Sequence, residues 1–144
     1  MQSRVRGEFE VKLTPQEGAA EGLGRMRIDK TFRGALEAVS RGEMLTAGTN
    51  VAGSAGYVAV ERVDGTLEDR AGTFMLQHSA TMTRGAPQLS IGVVPDSGTG
   101  ELTGLVGRMD IEITGGKHFY VLDYTVPDYG HGGDDTEPDH EPLT

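Results

Sequence analysis

A glutamate inside an apolar, strand-like run is the residue of this chain best placed to do chemistry. Glu61 stands in Gly56-Tyr57-Val58-Ala59-Val60-Glu61-Arg62-Val63, and a period of two puts it on the same side of a pleat as Tyr57, Ala59 and Val63. Turned inward, the carboxyl is desolvated and its pKa rises unless an arginine such as Arg27, Arg41 or Arg84 reaches it. A poised carboxylate in a dry cavity is one route to proton transfer without a cofactor. Two plainer readings compete: Val58 and Val60 face the core while Glu61 meets water, or Glu61 belongs to a structural ion pair that closes one end of the fold.

His78 shares its pleat side with Phe74, Leu76, Ala80 and Met82, which sets an imidazole among apolar neighbours. A hydrogen-bonded core histidine reads the same way as a proton shuttle. This phase is expected inside, with Gln77 outside. Glu61 and His78 are the catalytic candidates. The candidate ligand-binding set adds Glu43, beside Met44, and the hydroxyls of Tyr57 and Tyr120, for which simple packing is the competing role.

Other chemistries fail on spacing. Pro95-Asp96-Ser97-Gly98-Thr99-Gly100 has glycines and a serine, but it lacks G-x-x-x-x-G-K-[ST] and no lysine follows, so a hairpin connection is expected. Ser79 adjoins His78 in sequence, yet neighbours on a strand point to opposite faces and no G-x-S-x-G elbow surrounds it. His131 and His140, with Asp134, Asp135 and Asp139, have no fixed geometry for a metal, so neither a metal nor a cofactor is expected.

The elements that must position these residues are short strands. Gly72 to Gly104 organises the chain as a β-meander: the alternating run Phe74 to Met82, then Leu89 to Val94 stopped by Pro95-Asp96-Ser97-Gly98. Before it, Gly7 to Leu13 alternates Phe9, Val11 and Leu13 with charged residues, and Pro15 is expected to end that strand. Arg25 to Phe32 alternates Met26, Ile28, Lys30 and Phe32 with Arg25, Arg27, Asp29 and Thr31. Ala35 to Thr46 has some helical spacing, but Gly34, Gly42 and strand-like neighbours favour a third strand. Gly56 to Val63 is the fourth, and Asp64-Gly65 predicts its hairpin turn. Met109 to Thr114 and His118 to Val126, joined by Gly115-Gly116, complete eight.

Composition agrees with that architecture. The 144 residues include 22 glycines, no tryptophan and no cysteine, which suits tight turns and excludes disulfides, thiolate metal sites and cysteine nucleophiles. The net charge of -9 argues against a nucleic-acid partner, since phosphate contacts need clustered Lys and Arg. Six of the acidic residues follow Val126, so removing them leaves the body at about -3. Residues 1–126 read as one domain and 127–144 as an acidic tail too poor in apolar residues to offset ordering entropy. With no signal-like leader and no apolar run of membrane length, a cytoplasmic protein without a membrane partner is expected.

Five phrases taken together, GRMRIDKTFRGALE, SRGEMLTAGT, GSAGYVAVERVDGTL, TFMLQHSATMTRGAPQLSIGVVPDSGTGELTGL and GKHFYVLDYT, are similar to the bacterial domain-of-unknown-function family 3224 over about residues 5 to 126. The resemblance implies a small eight-stranded barrel like that of allene oxide cyclase, lipocalin-like in shape. It implies no activity, and the acidic tail lies outside it.

The resulting expectation is an all-β protein: a closed eight-stranded antiparallel barrel, allene-oxide-cyclase-like, with a disordered acidic C-terminal tail. Eight strands leave an interior that side chains fill or one small ligand occupies. The leading functional reading is binding of an apolar or amphipathic small molecule inside. The alternatives are a cofactor-free cyclase or isomerase, and a structural or interaction protein with a filled barrel, forming a homodimer along one sheet face.

Overall fold

A computed structural model describes residues 2–127; the acidic tail and its histidines and aspartates lie outside the described residues. The chain forms eight strands, β1 (Ser3–Gln16), β2 (Leu23–Gly34), β3 (Leu36–Gly48), β4 (Ala55–Leu67), β5 (Arg70–Thr83), β6 (Ala86–Val93), β7 (Val106–Thr114) and β8 (Lys117–Thr125). Each pairs antiparallel with the next, and β8 returns to β1, so the sheet is a closed up-and-down barrel. Closure removes the free edges that a flat sheet of this size would expose. No helix is long and apolar enough to cross a membrane among the described residues, which does not bear on strands.

Strand phase follows the alternation in the sequence. Phe9, Ile28, Lys30, Phe32, Leu36, Ala38, Ala59, Glu61, Val63, Phe74, Leu76 and His78 are buried inward, while their sequence neighbours face out. Apart from the bend at Ala35, the stretch 35–46 is strand, paired residue by residue with β4 from Leu36 and with β2 from Ala38. Its helix-friendly Ala, Leu and Glu lose to ladder pairing on both sides, as local propensity does when tertiary contacts oppose it.

Three boundaries differ from expectation. Asp64-Gly65 is not a turn: β4 runs on to Leu67, and the hairpin is made by Glu68 and Asp69, whose φ of 45° and 72° give a two-residue type I′ loop. Gly65 instead marks a close approach, because a Cβ there would lie 2.2 Å from the Glu37 carbonyl oxygen and 2.6 Å from Ala38. Pro15 does not end β1; it pairs with Met26 beyond Phe9, the last β1 residue to pair with β8, and a residue without an N–H is tolerated on a strand side that has lost its neighbour.

The segment after β6 is the third difference. It is a long connection containing one 3-10 turn, Gly100–Leu102, rather than a hairpin. It takes over pairing where β6 ends: Ser97 Oγ accepts from the Met75 N–H at 3.0 Å and Thr99 Oγ1 from the Thr73 N–H at 3.0 Å. Leu102 and Leu105 are thereby buried in the core cluster at the end of the barrel where β4 turns into β5. That end is solid, with Phe32, Leu36, Leu67, Phe74 and Tyr124 in the same cluster. The opposite end carries the β1–β2, β3–β4, β5–β6 and β7–β8 connections and is open.

Candidate functional site

Between the solid and open ends lies one layer of buried polar side chains. Lys30 on β2 sits directly opposite Ser40 on β3; Ser40 is diagonal to Glu61 on β4, and Glu61 is diagonal to His78 on β5. Each diagonal step moves two residues toward the open end. That is the stagger a tilted, closed sheet requires, and it brings residues from four adjacent strands to one level. Gly42, the β3 residue opposite Glu61, contributes no side chain to this level.

Glu61 is the hub. Its Oε1 accepts from Ser40 Oγ at 2.6 Å, and its Oε2 meets Lys30 Nζ at 2.7 Å and His78 Nε2 at 2.5 Å. The carboxylate is 1% exposed, whereas Val60 beside it is 47% exposed, so the glutamate faces in and the valines face out. Its cation is Lys30, not an arginine. Arg27 and Arg41 pair with Asp29 on the outer wall, and Arg84 lies in the β5–β6 turn.

This arrangement fixes the protonation of the hub. Desolvation pushes the Glu61 carboxyl up, but the His78 hydrogen bond, the Lys30 and His78 charges and the Lys30 hydrogen bond together outweigh it and bring the pKa down to about 2. Glu61 is therefore ionised, not a raised-pKa base as burial alone predicts. An ionised carboxylate only accepts, so His78 must hold a proton on Nε2. The second ring nitrogen, Nδ1, has no hydrogen-bond partner among the described residues.

Above this layer the barrel is hollow, with a cavity of about 420 Å³. Val11, Leu13, Ile28, Met44, Ile111 and Ile113 form apolar walls. Lys30 and His78 reach it from the floor, and Tyr57 and His118 from nearer the mouth. Desolvation, and then the Glu61 charge, raise the Tyr57 hydroxyl above its ordinary pKa, so it stays protonated. The Lys30 ammonium lies over the Phe9 ring at 5.1 Å and the Phe32 ring at 5.8 Å. His118 packs against Phe9 with centroids 5.2 Å apart and the rings tilted by 52°.

Two sequence candidates are corrected. Glu43 is on the outer wall, paired with Arg25 at 2.5 Å, because β3 turns Met44 inward instead. Tyr120 is buried, but its hydroxyl serves the backbone near the β2–β3 turn, accepting from the Leu36 N–H at 2.9 Å and donating to the Arg33 carbonyl at 3.0 Å. Lys30 and Ser40 are the residues sequence reasoning missed. The signal for Lys30 was a lysine in the apolar phase of Met26, Ile28 and Phe32.

A larger concavity of about 860 Å³ lies over the outer faces of β3, β4 and β5, where Leu45, Val58, Val60 and Met75 are exposed. It is an open surface groove, and its arginines are already paired: Arg25 with Glu43, Arg41 with Asp29 and Arg62 with Asp64. Among the described residues no group of three or more His, Cys, Asp and Glu side chains is arranged to hold a metal.

The family described as a protein of unknown function, DUF3224, matches residues 5–124. The chain belongs to the DUF3224 family. A crystal structure of a DUF3224 protein of unknown function from Shewanella oneidensis MR-1 is similar, at 53% sequence identity and a TM-score of 0.85, over 88% of this chain and 98% of that one. No curated protein matches. The DUF3224 comparison carries the barrel and names no activity, so function rests on the site itself.

Proposed function

We propose that this DUF3224 barrel binds one small amphipathic molecule in its open half, apolar body against the walls and polar end on the floor. The observation that carries the reading is a cavity of about 420 Å³ whose apolar walls converge on two polar groups, Lys30 and His78. Ligand sites typically occupy about 300–1,000 Å³, are mostly apolar, and use a few placed polar groups to fix the pose. A wholly filled, purely structural barrel fits the solid half only. Native mass spectrometry of freshly purified protein tests this: the expected result is a non-covalent small-molecule adduct, lost when Ile111→Trp fills the cavity. A barrel that carries nothing and binds nothing from a lipophilic library overturns it.

One feature favours a second reading, a cofactor-free isomerase or cyclase. A carboxylate that orients an imidazole, with the other ring nitrogen turned to a cavity, is a recurrent arrangement for a general base. In that role His78 moves the proton and Glu61 holds the ring. Protein-catalysed exchange of a bound ketone's α-hydrogen with D2O, lost in His78→Phe, is the expected sign; exchange no faster than buffer removes the reading.

A further inference from the structure

We propose that the cavity is loaded from the side: the joint between β6 and β7 is a lateral gate, hinged toward the solid end, through which the small molecule enters and leaves. This rests on the binding reading above and adds the route by which that site is reached.

The argument begins with the ladders. β6 and β7 are paired through Ile91↔Met109 and Gly92↔Arg108, whereas every other joint of the barrel carries at least seven residue pairs. Those two pairs sit at the inner end of a seam. From there to the open end, residues 86–90 of β6 are held by β5 alone and residues 110–114 of β7 by β8 alone. Glu112 on this edge pairs away from the seam, with Arg6 of β1 at 2.9 Å.

Connectivity makes the joint a hinge. The other consecutive strands are joined by short turns or loops, but β6 and β7 by residues 94–105, whose Leu102 and Leu105 are buried in the core at the solid end. Ile91 and Met109, at the apex of the seam, are 0% and 2% exposed in the same cluster. The pivot is therefore fixed, and the hairpins β5–β6 and β7–β8 run from it as two arms with no turn joining their far ends. The neighbouring joints hold. The Gly85 N–H donates to the Gly53 carbonyl at 3.0 Å and the Arg84 N–H to Ser54 Oγ at 3.0 Å, which ties the β5–β6 turn to the β3–β4 connection. On the other arm β8 stays paired with β1 up to His118, next to its first residue. Local opening favours the joint with the fewest bonds and the most exposed backbone, and that joint is β6–β7.

The gate gives onto the cavity. Leu89 on one arm and Ile111 and Ile113 on the other all line it, and extending the Ile91↔Met109 register sets Leu89 against Ile111. Leu89 is 37% exposed and Ile113 67%, although both are on the inward phase of their strands. A guest's apolar body passing between the arms covers these residues, and removing them from water favours closure behind it.

Bridging the arms tests the proposal. Gln88 and Glu112 are exposed and stand opposite each other when the same register is extended, and the chain has no cysteine, so Gln88→Cys/Glu112→Cys supplies one reactive pair. Stopped-flow fluorescence of the full chain with the apolar probe N-phenyl-1-naphthylamine compares this variant bridged by 1,3-dichloroacetone with the same variant capped on both thiols by iodoacetamide. Uptake and release should be about tenfold or more slower in the bridged form. Val58→Cys/Ser79→Cys, bridged in the same way across the continuously paired β4–β5 joint, should show no slowing. Hydrogen exchange on the unaltered protein needs no bridge: the amides of residues 86–90 and 110–114 should exchange faster than those of the β3–β4 ladder, and slow when the probe is bound. Equal rates in the bridged and capped forms, equal slowing at both joints, or seam amides as protected as the β3–β4 ladder overturns the gate and leaves the binding reading standing. An unaltered protein that carries no adduct and takes up no probe overturns both.

Discussion

Gly42 lies directly across the β3–β4 ladder from Glu61, and the contact is too close for any side chain at residue 42. A Cβ there would stand 2.3 Å from the Val60 carbonyl oxygen and 2.6 Å from Glu61 Cα, both backbone atoms that cannot rotate away. The absence of a side chain lets β4 curl inward and carry the carboxylate to Lys30, Ser40 and His78. Gly42→Ala should therefore cost about 1–3 kcal/mol through overpacking and shift the Glu61 contacts. Urea unfolding reads the loss; an unchanged midpoint would mean that the strands separate there without penalty.

Tyr120 offers the complementary case, a buried polar residue whose role is architectural. Its hydroxyl satisfies the Leu36 N–H at the turn end of the barrel, away from the cavity mouth. Tyr120→Phe leaves that N–H buried without its partner, and should cost about 1–3 kcal/mol. The small-molecule adduct of the open half should be unchanged. A variant that keeps its stability but loses binding would put Tyr120 back among the ligand groups.

The proton on His78 can be read directly. Glu61 Oε2 sits 2.5 Å from Nε2, so the neutral ring is expected as the Nε2–H tautomer. Imidazole nitrogen shifts in 15N NMR separate the two tautomers. In Glu61→Gln the amide can donate or accept, and the preference should relax. A neutral Nδ1–H ring in the unaltered protein would remove the general-base geometry.

The number and phase of the strands were legible because a half-buried strand writes its faces into alternate residues, as in Phe74, Leu76 and His78 against Met75, Gln77 and Ser79. The same rule correctly turned Glu61, Tyr57 and His78 toward one another. It was weakest where an inward position carries no apolar side chain: Gly42 hides the phase of β3, so Glu43 and Met44 could not be told apart, and Ser40 left no mark. Lys30 was readable as a break in an apolar phase, but its partner depends on stagger across three strands. Strand ends were hardest. Asp64-Gly65 has the composition of a turn yet serves a close approach to Ala38, while Glu68 and Asp69 adopt positive φ only because the ladder on either side holds them there.

The Lys30–Glu61 pair invites a double-mutant cycle. Removing either charge alone leaves the other buried, against Phe9 and Phe32 in the case of the ammonium, and such losses are typically about 3–5 kcal/mol. Lys30→Met and Glu61→Gln should each destabilise on that scale. The combined variant should recover most of the loss, because no unpaired charge remains. If it folds as well as the unaltered protein yet no longer retains the small-molecule adduct, the pair serves recognition rather than stability. Additive losses would show instead that the two charges are not coupled.

Acid should expose the same pair through linkage. The Glu61 carboxyl falls from its ordinary value of 4.5 to about 2 in the fold, because the His78 and Lys30 contacts outweigh the desolvation that opposes them. A depressed carboxyl stabilises the folded state fully above its unfolded value and loses that contribution as pH falls through the folded one, so the window runs from about 4.5 down to about 2. The shift corresponds to a contribution on the order of 3 kcal/mol. Asp29 and Asp123, also lowered by arginine partners, are exposed and remain in every variant. Subtracting the unfolding profile of Lys30→Met/Glu61→Gln from that of the unaltered protein therefore isolates the buried cluster of Lys30, Glu61 and the His78 bonded to it. The difference should decline from about pH 4.5 toward pH 2; a difference that grows over that window as pH falls would mean that Glu61 is held protonated, and that the proton assigned to His78 Nε2 belongs to the carboxyl.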